Sequence, residues 1–388
     1  MRIRYLLLNA YGTGGTIRTV LNQANFLAAA GHEVELISVL RTGEAPRFTI
    51  DPRIRLRALV DRRADADTQW SWARSRLADR PAQEIPAGEF GYHIFDRYVE
   101  REIIRCVSRI RDGIVVTTRP ALNLLVARHT PEGPVLVAQE HMNLGTHRKD
   151  VQKAIARGYR RFDTVAVLTE GDREDYEKLL PGVRIETVPN ALQQIEQVPS
   201  TTAGHTVVAA GRLVNQKGFD MLIEAFGKTV DEESPWQLRI YGTGEKRAEL
   251  RAQIEELHLY NHVFLMGYTD RLDEKFAQAS LYALSSRFEG LPMVMIEAMS
   301  HALPVVAFDC PTGPGEVLTD GREGFLVPPR DVDGLAEALR ELMEDPDRRM
   351  EAGDAALQTA RSFAPEEVLP RWAELFEELS TARTAAGR

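Results

Sequence analysis

The feature that most constrains this chain is a rhythm of short apolar segments and helical segments that runs through it twice. In the first half, the apolar segments predicted as strands are 3–9, 33–40, 54–60, 114–118, 135–140, 164–168 and 185–188. In the second half they are 207–210, 237–241, 263–266, 281–284 and 305–308. Strands that alternate with helices favour a parallel sheet with helices on both faces. The sequence therefore predicts an α/β protein with two Rossmann-like domains.

A polar, aperiodic stretch at 193–205 separates the two runs and is predicted to be a linker. Because 388 residues exceed one ordinary core, we expect an N-terminal domain at 1–192 and a C-terminal domain at 193–364. The final helical segment, 365–388, is expected to return to the N-terminal domain. Residues 61–95 break the rhythm and are predicted to be an insertion. Ligands of such sheets lie beyond the carboxyl ends of the strands, so we expect a cleft site between the domains.

The composition, with 44% hydrophobic and 27% charged residues, is typical of a soluble enzyme. No apolar run approaches the ~20 residues of a membrane span, so no transmembrane segment is expected. The two cysteines, Cys106 and Cys310, form neither a metal-binding nor a disulfide pattern and favour a reducing compartment. We therefore expect a cytoplasmic protein, with peripheral contact at the inner face of the membrane as an alternative.

The net charge of −9 is unevenly distributed along the chain. Residues 1–190 carry a charge of +5, whereas residues 191–388 carry −14. The arginines of the first half cluster at 53, 55, 57, 62, 63, 74, 76 and 80, with aspartates among them. Either they form a solvated surface of mixed charge, or they attract an anionic acceptor or an anionic membrane surface. No dense basic run is interleaved with aromatic residues, so no nucleic acid partner is expected.

A glycine turn over residues 12–15 follows the first strand and leads into a helix. Glycines at this place let backbone N–H groups approach a phosphate at the helix N-terminus. The dinucleotide fingerprint is not matched, because Ile17 stands at its third glycine and the second strand ends in Leu40-Arg41 instead of an acid. A dehydrogenase is therefore disfavoured, whereas a phosphate contact and a purely structural turn both remain open.

A second glycine-rich loop, Gly211-Arg212 to Lys217-Gly218, follows the first strand of the second run. Arginine offers paired donors to phosphate oxygens and lysine a mobile point charge. Arg212 and Lys217 are therefore candidates to neutralise a departing nucleotide diphosphate without a metal, with surface solvation as the alternative. No metal is expected at the Asp-x-Asp triplets, which resemble helix caps or linker charges at 65/67, 331/333 and 345/347.

Two carboxylates, Glu289 and Glu297, stand eight positions apart with Gly-Leu-Pro between them. Pro292 is predicted to be the first residue of a helix, which places Glu289 in the loop before it and Glu297 inside it. Eight residues of helix span roughly 12 Å, about the distance from the ribose to the hexose of a nucleotide-sugar. The free N–H groups of residues 290–293 are expected to point at an anion such as a diphosphate.

Taken together, these motifs resemble glycosyltransferase family 4. The segments that carry the resemblance run in order from residue 1 to about 345: Gly14-Gly15, Gly211-Arg212, Lys217-Gly218, Gly242-Thr-Gly244, Glu289-Gly-Leu-Pro, Glu297-Ala and Gly324-Phe-Leu-Val-Pro328. The resemblance implies the GT-B fold and a retaining, metal-independent transfer of sugar from a nucleotide-sugar, which is a substrate, so no cofactor is expected. Asn190 resembles the family's interdomain Pro-Asn-Gly turn, except that Ala191 replaces the glycine.

The resemblance also implies roles for individual residues. Glu289 is expected to hold a hydroxyl of the transferred sugar and Glu297 the two hydroxyls of the ribose, while Arg212 and Lys217 clamp the diphosphate. Further donor-binding residues are expected at Gly14, Gly15, Gly267, Tyr268, Gly290, Leu291 and Met293.

Three residues of the first half are candidates for contact with the acceptor or the sugar. His141 ends the strand 135–140 and is expected to touch the sugar or to orient the acceptor hydroxyl, although a lone histidine is often structural. Arg119, at the end of the preceding strand, and Asn143 are weaker acceptor-binding candidates. Cys310 has no histidine partner nearby in sequence and is not expected to be a nucleophile.

The sequence thus predicts a retaining transfer of a hexose to an acceptor hydroxyl, with a UDP-sugar favoured over a GDP-sugar. The acceptor classes that it leaves open are an anionic cell-envelope polymer, a lipid-linked intermediate and a natural-product scaffold. A sugar phosphorylase, a nucleotide-sugar hydrolase or epimerase, and a non-catalytic nucleotide-sugar-binding protein remain alternatives.

Overall fold

The computed structural model describes residues 1–63, 76–193 and 198–386, which form two α/β units. The first unit comprises Met1–Ala191 and Leu369–Arg388, and the second comprises Leu192–Val368. Each unit contains one parallel sheet with its own hydrophobic core. The two α/β repeats that the sequence predicts are therefore confirmed.

The first unit is a seven-stranded sheet in the order β3-β2-β1-β4-β5-β6-β7. Its strands are β1 Arg2–Asn9, β2 Glu33–Arg41, β3 Arg55–Asp61, β4 Ile114–Thr117, β5 Val135–Gln139, β6 Thr164–Val167 and β7 Arg184–Thr187. Its helices are α1 Gly15–Ala29, α2 Arg97–Val107, α3 Pro120–His129, α4 Lys149–Gly158 and α5 Glu170–Leu179. The central strands β4, β5 and β6 are buried along their whole length, which explains their continuous apolar sequences.

The second unit is a six-stranded sheet in the order β10-β9-β8-β11-β12-β13. Its strands are β8 Thr206–Ala210, β9 Gln237–Tyr241, β10 Val263–Gly267, β11 Leu281–Leu284, β12 Val305–Phe308 and β13 Gly324–Val327. Its helices are α6 Phe219–Gly227, α7 Arg247–Glu256, α8 Leu272–Ala277, α9 Met293–Met299, α10 Pro314–Val317, α11 Val332–Glu344 and α12 Pro346–Arg361.

The last helix, α13 Pro365–Ala386, begins in the second unit, and its residues from Leu369 onward belong to the first. Arg371 donates to the carbonyl oxygen of Thr187 at 2.6 Å, and Arg383 donates to that of Pro134 at 2.9 Å. These bonds attach the helix to the carboxyl end of β7 and to the residue before β5. The predicted return of this helix to the first domain is confirmed.

Two local predictions differ from the structure. Pro292 is not the first helical residue but precedes helix α9, because its ψ of 74° lies outside the helical range. The edge strand β13 was not predicted, since its run of four residues is short and Gly324 interrupts the apolar pattern at its start. Within the predicted insertion at 61–95, residues 64–75 lie outside the described residues, and the remainder includes a short 3-10 turn at Tyr92–Ile94.

Candidate active site

The chemistry-bearing loops of the second unit meet at the point where its strand order reverses. β8 and β11 are parallel neighbours although two strands separate them in sequence, so their carboxyl ends form a topological switch point. The loop after β8 carries Lys217 and the loop after β11 carries Glu289. The two loops are joined by Ser285 Oγ, which donates to the carbonyl oxygen of Lys217 at 3.0 Å, and by Arg287 N, which donates to that of Gln216 at 2.8 Å.

Lys217 and Glu289 form a shielded ion pair at this switch point. The Lys217 Nζ lies 2.6 Å from Glu289 Oε1, and the two side chains are 17% and 8% exposed. Ser286 Oγ donates to the same carboxylate oxygen at 2.5 Å, and Thr312 Oγ1 donates to the carbonyl oxygen of Glu289 at 2.9 Å. Lysine has three N–H donors, so the ammonium that Glu289 orients keeps donors for a ligand's oxygens.

The backbone after Lys217 turns sharply, and only glycine fits there. Gly218 has a φ of +61°, and an added Cβ would lie 2.1 Å from the carbonyl oxygen of Ser285. Gly211 leaves room for the lysine stem, since its added Cβ would lie 3.0 Å from Lys217 Cε. The two glycine signals in the sequence thus serve to hold the β8 loop against the β11 loop and to lay the Lys217 side chain along it.

Arg212 and Arg287 lie on these two loops but differ in their partners. Among the described residues the Arg212 side chain has no hydrogen-bond or ion-pair partner, and the residue is exposed, so its guanidinium is available to an anion. Arg287 is engaged by both carboxylate oxygens of Asp220, at 2.9 and 2.6 Å, and by the carbonyl oxygen of Asn215. Sequence reasoning missed Arg287 and Asp220. These residues are 67 positions apart in the sequence, and their ion pair fixes the shape of the β8 loop.

The remaining donor-binding candidates surround the same sheet edge. Glu297 lies half-buried on α9, and Gly290, Leu291 and Met293 are partly exposed. The expected row of free N–H groups at 290–293 is wrong, because Pro292 has none and Met293 N donates to the carbonyl oxygen of Leu291 at 2.9 Å.

Gly267 ends the edge strand β10, and its carbonyl oxygen accepts from Gly242 N at 2.8 Å. Tyr268, the next residue, is 79% exposed. The exposed ring lies at a strand end, and the donor-binding role of Gly267 and Tyr268 stays a prediction. Cys310 lies buried beyond β12, and burial together with the Glu289 charge raises its pKa to about 12. Its thiol is therefore neutral near pH 7 and is a poor nucleophile.

In the first unit, the glycine turn lies at the carboxyl end of β1, next to that unit's own switch point with β4. Gly14 is the residue before helix α1, in an extended conformation, and no side chain caps the helix. Both Gly14 and Gly15 are exposed, and a Cβ added to Gly15 would meet no atom within 4 Å. The space in front of this helix end is therefore open.

Arg119 and Asn143 are each engaged by a carboxylate. Arg119 lies 2.6 Å from Glu89, whose pKa is raised by burial despite that pairing. Asn143 is buried and donates to Asp172 at 2.9 Å. Neither side chain is therefore free for an acceptor in this arrangement, and their acceptor-binding role stays a prediction.

His141 follows β5 and has unusual surroundings. Its residue surface is partly exposed, yet both ring nitrogens are shielded from solvent and have no hydrogen-bond partner in the described part of the chain. Burial lowers its pKa to about 4, so the imidazole is neutral near pH 7. A neutral imidazole offers one donor and one acceptor to a hydroxyl but no charge to a diphosphate.

A buried polar network that the sequence analysis did not predict fixes the strand end before His141. Asn123 donates to Glu140 Oε1 and to Tyr159 Oη, each at 2.7 Å, and Tyr159 Oη donates to the same carboxylate. These three side chains come from α3, the end of β5 and the turn after α4. Their spacing in sequence carries no periodic signal, so only the folded structure brings them together.

The neutral state of His141 predicts a pH-dependent stability. A histidine whose pKa falls from 6.5 in the unfolded chain to about 4 in the folded chain binds more protons when unfolded, so stability is lost as the pH falls from 6.5 towards 4. The His141→Gln variant is expected to lack this contribution. The difference in melting temperature between wild type and His141→Gln should therefore shift in favour of the variant between pH 7 and pH 4.5, and a constant difference would contradict it.

The described residues contain no cluster of three or more His, Cys, Asp or Glu side chains that would hold a metal ion. Asp331 and Asp345 instead cap helices, accepting from Gly334 N and Arg348 N at 3.0 and 2.9 Å. The expectation of helix caps at these two triplets is confirmed, whereas Asp65 and Asp67 lie outside the described residues. In the same part of the chain, no helix is long and apolar enough to cross a membrane.

Comparison with known proteins connects this geometry to a family. Residues 192–359 match the family model of glycosyl transferases group 1. The match covers nearly the whole second unit, including both loops of the Lys217–Glu289 pair. Together with the fold it supports a glycosyltransferase.

Several curated relatives are similar to the chain over most of its length or over its second half. An exopolysaccharide phosphotransferase of Streptomyces coelicolor is 35% identical over 99% of this chain, which spans 41% of that relative. The amylovoran biosynthesis glycosyltransferase AmsD of Erwinia amylovora is 27% identical over 94% of this chain and 96% of AmsD. A poly(glycerol-phosphate) alpha-glucosyltransferase of Bacillus subtilis is 30% identical over 57% of this chain and 34% of its own length. The chain thus spans less than half of two of these three relatives.

Solved structures establish the fold class. TarM of Staphylococcus aureus, a mutant of which was solved with fondaparinux, alpha-GlcNAc-glycerol and UDP, matches 97% of this chain and 100% of its own with a TM-score of 0.76 at 17% identity. The pneumococcal O-GlcNAc transferase GtfA, solved with UDP and GlcNAc, matches 98% of this chain and 99% of its own with a TM-score of 0.74 at 15% identity. The fold predicted from the resemblance, GT-B, is confirmed.

Proposed function

We propose that this chain is a retaining glycosyltransferase of family 4 that moves a hexose from a UDP-sugar to a hydroxyl of a phosphate-rich cell-envelope polymer. The observation that carries the proposal is the shielded Lys217–Glu289 pair at the switch point of the second sheet. Arg212 lies on the same loop as Lys217, and its side chain has no partner among the described residues. A nucleotide-sugar needs such a set: a cation for the diphosphate, and a fixed carboxylate for a sugar hydroxyl.

The chemistry assigned to these residues is stabilisation of the leaving group. As the bond from the anomeric carbon to the diphosphate breaks, negative charge grows on the phosphate oxygens. In this proposal Lys217 and Arg212 take up that charge without a metal ion, and the Glu289 carboxylate, 2.6 Å from the Lys217 ammonium, orients that ammonium before the substrate arrives. The acceptor hydroxyl attacks on the face from which the diphosphate leaves, and its proton passes to the departing phosphate oxygen.

The polymer acceptor is favoured by the relatives and by charge. The names of the relatives include an exopolysaccharide, amylovoran biosynthesis and poly(glycerol-phosphate), and the last of these is an anionic polymer by its chemistry. The first half of this chain is basic, with a charge of +5 over residues 1–190. UDP is favoured over other nucleotides because both TarM and GtfA were solved with it. We place the reaction in the cytoplasm or at the inner face of the membrane, where UDP-sugars are made.

A thermal-shift panel of UDP, GDP, ADP, CDP, NAD and NADP tests the donor site. A ligand at 100 times its dissociation constant stabilises the folded state by about 2.7 kcal/mol, which is measurable as a shift of a few degrees. We expect a shift with UDP that Lys217→Ala abolishes and that added EDTA leaves unchanged. A shift with NAD alone, or a UDP shift that persists in Lys217→Ala, would contradict the proposal.

The product of the reaction separates the proposed transfer from the other GT-B reactions. Incubation of UDP-glucose or UDP-GlcNAc with a glycerol phosphate oligomer should release UDP and extend the oligomer by one sugar, with an α linkage visible by NMR. Free sugar without oligomer modification would indicate a hydrolase. Dependence of turnover on inorganic phosphate would indicate a phosphorylase.

A further inference from the structure

A recess on the first unit is lined by six arginines. It lies at the amino ends of the strands, whereas the glycine turn lies at the carboxyl end of β1. The volume of the recess is about 590 Å³, and the arginines that line it are Arg2, Arg4, Arg55, Arg57, Arg109 and Arg111. We call it the arginine pocket. β1, β2 and β3 run parallel, and their first residues supply most of the charged lining. None of these residues has a role in the proposed transfer.

The charges of the arginine pocket do not cancel. Arg4 pairs with Glu35 at 3.4 Å and with Asp112 at 3.0 Å, while Arg2 pairs with Asp112 at 2.9 Å. Arg57 shares Glu35 at 3.1 Å. Arg2 also pairs with Glu33, which lies outside the lining, at 2.9 Å, so three carboxylates serve these three arginines. The net positive charge of the pocket therefore comes from the other three arginines of its lining.

Three further arginines of the lining have no carboxylate partner among the residues that the structure describes. The side chains of Arg55 and Arg109 have no hydrogen-bond or ion-pair partner among the described residues, and both are exposed. Arg111 donates only to the carbonyl oxygen of Ser108, at 2.6 Å. Unpaired guanidinium groups that converge on one recess repel each other, so an anion that enters it relieves this repulsion and gains charge-assisted hydrogen bonds.

The arginines that the sequence singled out at 62 and 63 behave differently. Arg62 pairs with Asp96 at 2.5 Å, and Arg63 pairs with Asp61 at 2.7 Å and with Glu44 at 2.5 Å. Arg74, predicted with them, lies outside the described residues. Of the arginine clusters in the first half, the one at 55 and 57 therefore contributes to a surface with unpaired positive charge.

We propose that the arginine pocket is a second binding site for the anionic polymer, where it holds a phosphodiester segment at a distance from the segment that is glycosylated. The inference rests on the proposed function, because it takes the acceptor to be a phosphate-rich polymer. Guanidinium groups are the preferred partners of phosphate oxygens, and a volume of several hundred Å³ is that of a ligand site.

The position of the pocket favours a polymer over a single small anion. The arginine pocket and the glycine turn lie at opposite ends of β1. The 8 residues of this strand span about 26 Å at roughly 3.3 Å per residue. A ligand that occupies the arginine pocket and also reaches the glycine turn at the other end of β1 must have many repeating units. Binding at two places raises the effective concentration of the polymer at the reacting end, so longer chains are expected to bind and react better than short ones.

The lining also argues against insertion into a membrane. Ile110 and Cys106 are its only residues without a charge, and Ile110 is 8% exposed. Because this isoleucine is buried, the recess has no exposed aliphatic side chain to place among acyl chains, whereas binding of a soluble phosphodiester chain needs none.

Direct binding tests the pocket independently of transfer. The full chain is titrated with a soluble glycerol phosphate oligomer, and the double variant Arg55→Gln/Arg109→Gln is compared with wild type. These two side chains have no partners in the part of the chain that the structure describes, so their replacement leaves the ion pairs of that part intact. Losing two charge-assisted contacts is expected to weaken binding about tenfold or more, and to make the salt dependence of the dissociation constant shallower. The matched control Lys153→Gln/Arg157→Gln removes two exposed charges from α4, outside the pocket, and should stay within about twofold of wild type.

Cys106 provides a local readout, because it lines the pocket and is half-buried, whereas Cys310 is buried. The oligomer should slow alkylation of Cys106 by iodoacetamide in wild type and in Lys217→Ala, but not in Arg55→Gln/Arg109→Gln. Equal protection by inorganic phosphate at the same phosphate concentration would overturn the polymer assignment. Arginine-dependent binding to phosphatidylglycerol vesicles without oligomer binding would assign the pocket to a membrane instead.

Kinetics separate failure of this inference from failure of the proposed function. With a long oligomer, Arg55→Gln/Arg109→Gln should raise KM about tenfold and leave kcat unchanged, while a single glycerol phosphate unit should react equally well with both proteins. Unchanged KM for the long oligomer would overturn the pocket and leave the transferase intact. If the protein binds the oligomer through the arginine pocket but transfers no sugar to any oligomer, the proposed function is wrong. The pocket would then be an anion-binding site without a role in holding a polymer for transfer.

Discussion

Replacement of Lys217 by methionine, or of Glu289 by glutamine, is expected to reduce turnover on the order of 10²–10³-fold. Each change removes a group that stabilises the negative charge of the leaving diphosphate, either directly or by orienting the ammonium that does so. The two groups are 2.6 Å apart and mostly shielded from solvent. Lys217→Met loses the ammonium itself, whereas Glu289→Gln keeps the volume of the side chain but leaves the ammonium without its orienting charge. The kcat with UDP-sugar and oligomer, measured at saturating substrate, reports the effect directly.

The double variant makes the prediction more specific. Residues that act as a unit give non-additive losses, so Lys217→Met/Glu289→Gln should be little slower than the slower single variant. Lys228→Met is a matched control, since Lys228 also pairs with a carboxylate at 2.6 Å, that of Asp333, but follows α6 on the surface. Its kcat should stay near wild type. Near-wild-type turnover in both single variants would remove the pair from the catalytic machinery.

The sequence predicts individual strands but not which strands are neighbours in the sheet. Apolar runs such as 281–284 and 305–308 coincide with β11 and β12, because a strand buried on both faces needs an unbroken apolar sequence. The residue motifs also placed Lys217 and Glu289 on loops at the carboxyl edge. Their contact was not predicted, since it depends on β8 and β11 being neighbours, and no periodicity encodes which strands pair.

The networks that the sequence did not indicate share one property: each joins residues from distant elements. Arg287 and Asp220 meet across the switch point, and Asn123, Glu140 and Tyr159 meet at the carboxyl side of β5. The arginine clusters show the same limitation, because Arg55 and Arg62 look alike in sequence. Only the fold shows that Arg62 has a carboxylate partner in Asp96 and that Arg55 has none among the described residues.

Gly242→Ala is expected to destabilise the second unit and to weaken UDP binding together, because this glycine lies where three strand ends converge. Its φ is +144°, and an added Cβ would lie 1.8 Å from the carbonyl oxygen of Gly211. Gly211 N donates to the carbonyl oxygen of Tyr241 at 2.9 Å, and Gly242 N donates to that of Gly267 at 2.8 Å. An alanine methyl group therefore has no flexible neighbour to displace and must push the backbone that carries Arg212.

The expected size of this effect follows from two costs that a control variant separates. A positive φ costs a residue with a Cβ roughly 1–2 kcal/mol, and overpacking against backbone adds roughly 1–3 kcal/mol. Gly321 has a φ of +77°, but its added Cβ would meet only Arg348 Nη2, at 3.8 Å. Gly321→Ala should therefore show the conformational cost alone and keep the UDP-induced thermal shift. Gly242→Ala should melt lower still, by on the order of 10 °C below wild type at the few degrees per kcal/mol typical of a unit this size, and should lose the UDP shift. Equal melting temperatures and equal UDP shifts for the two variants would mean that the Gly211 loop yields freely, and that its close approach to Gly242 does not position Arg212.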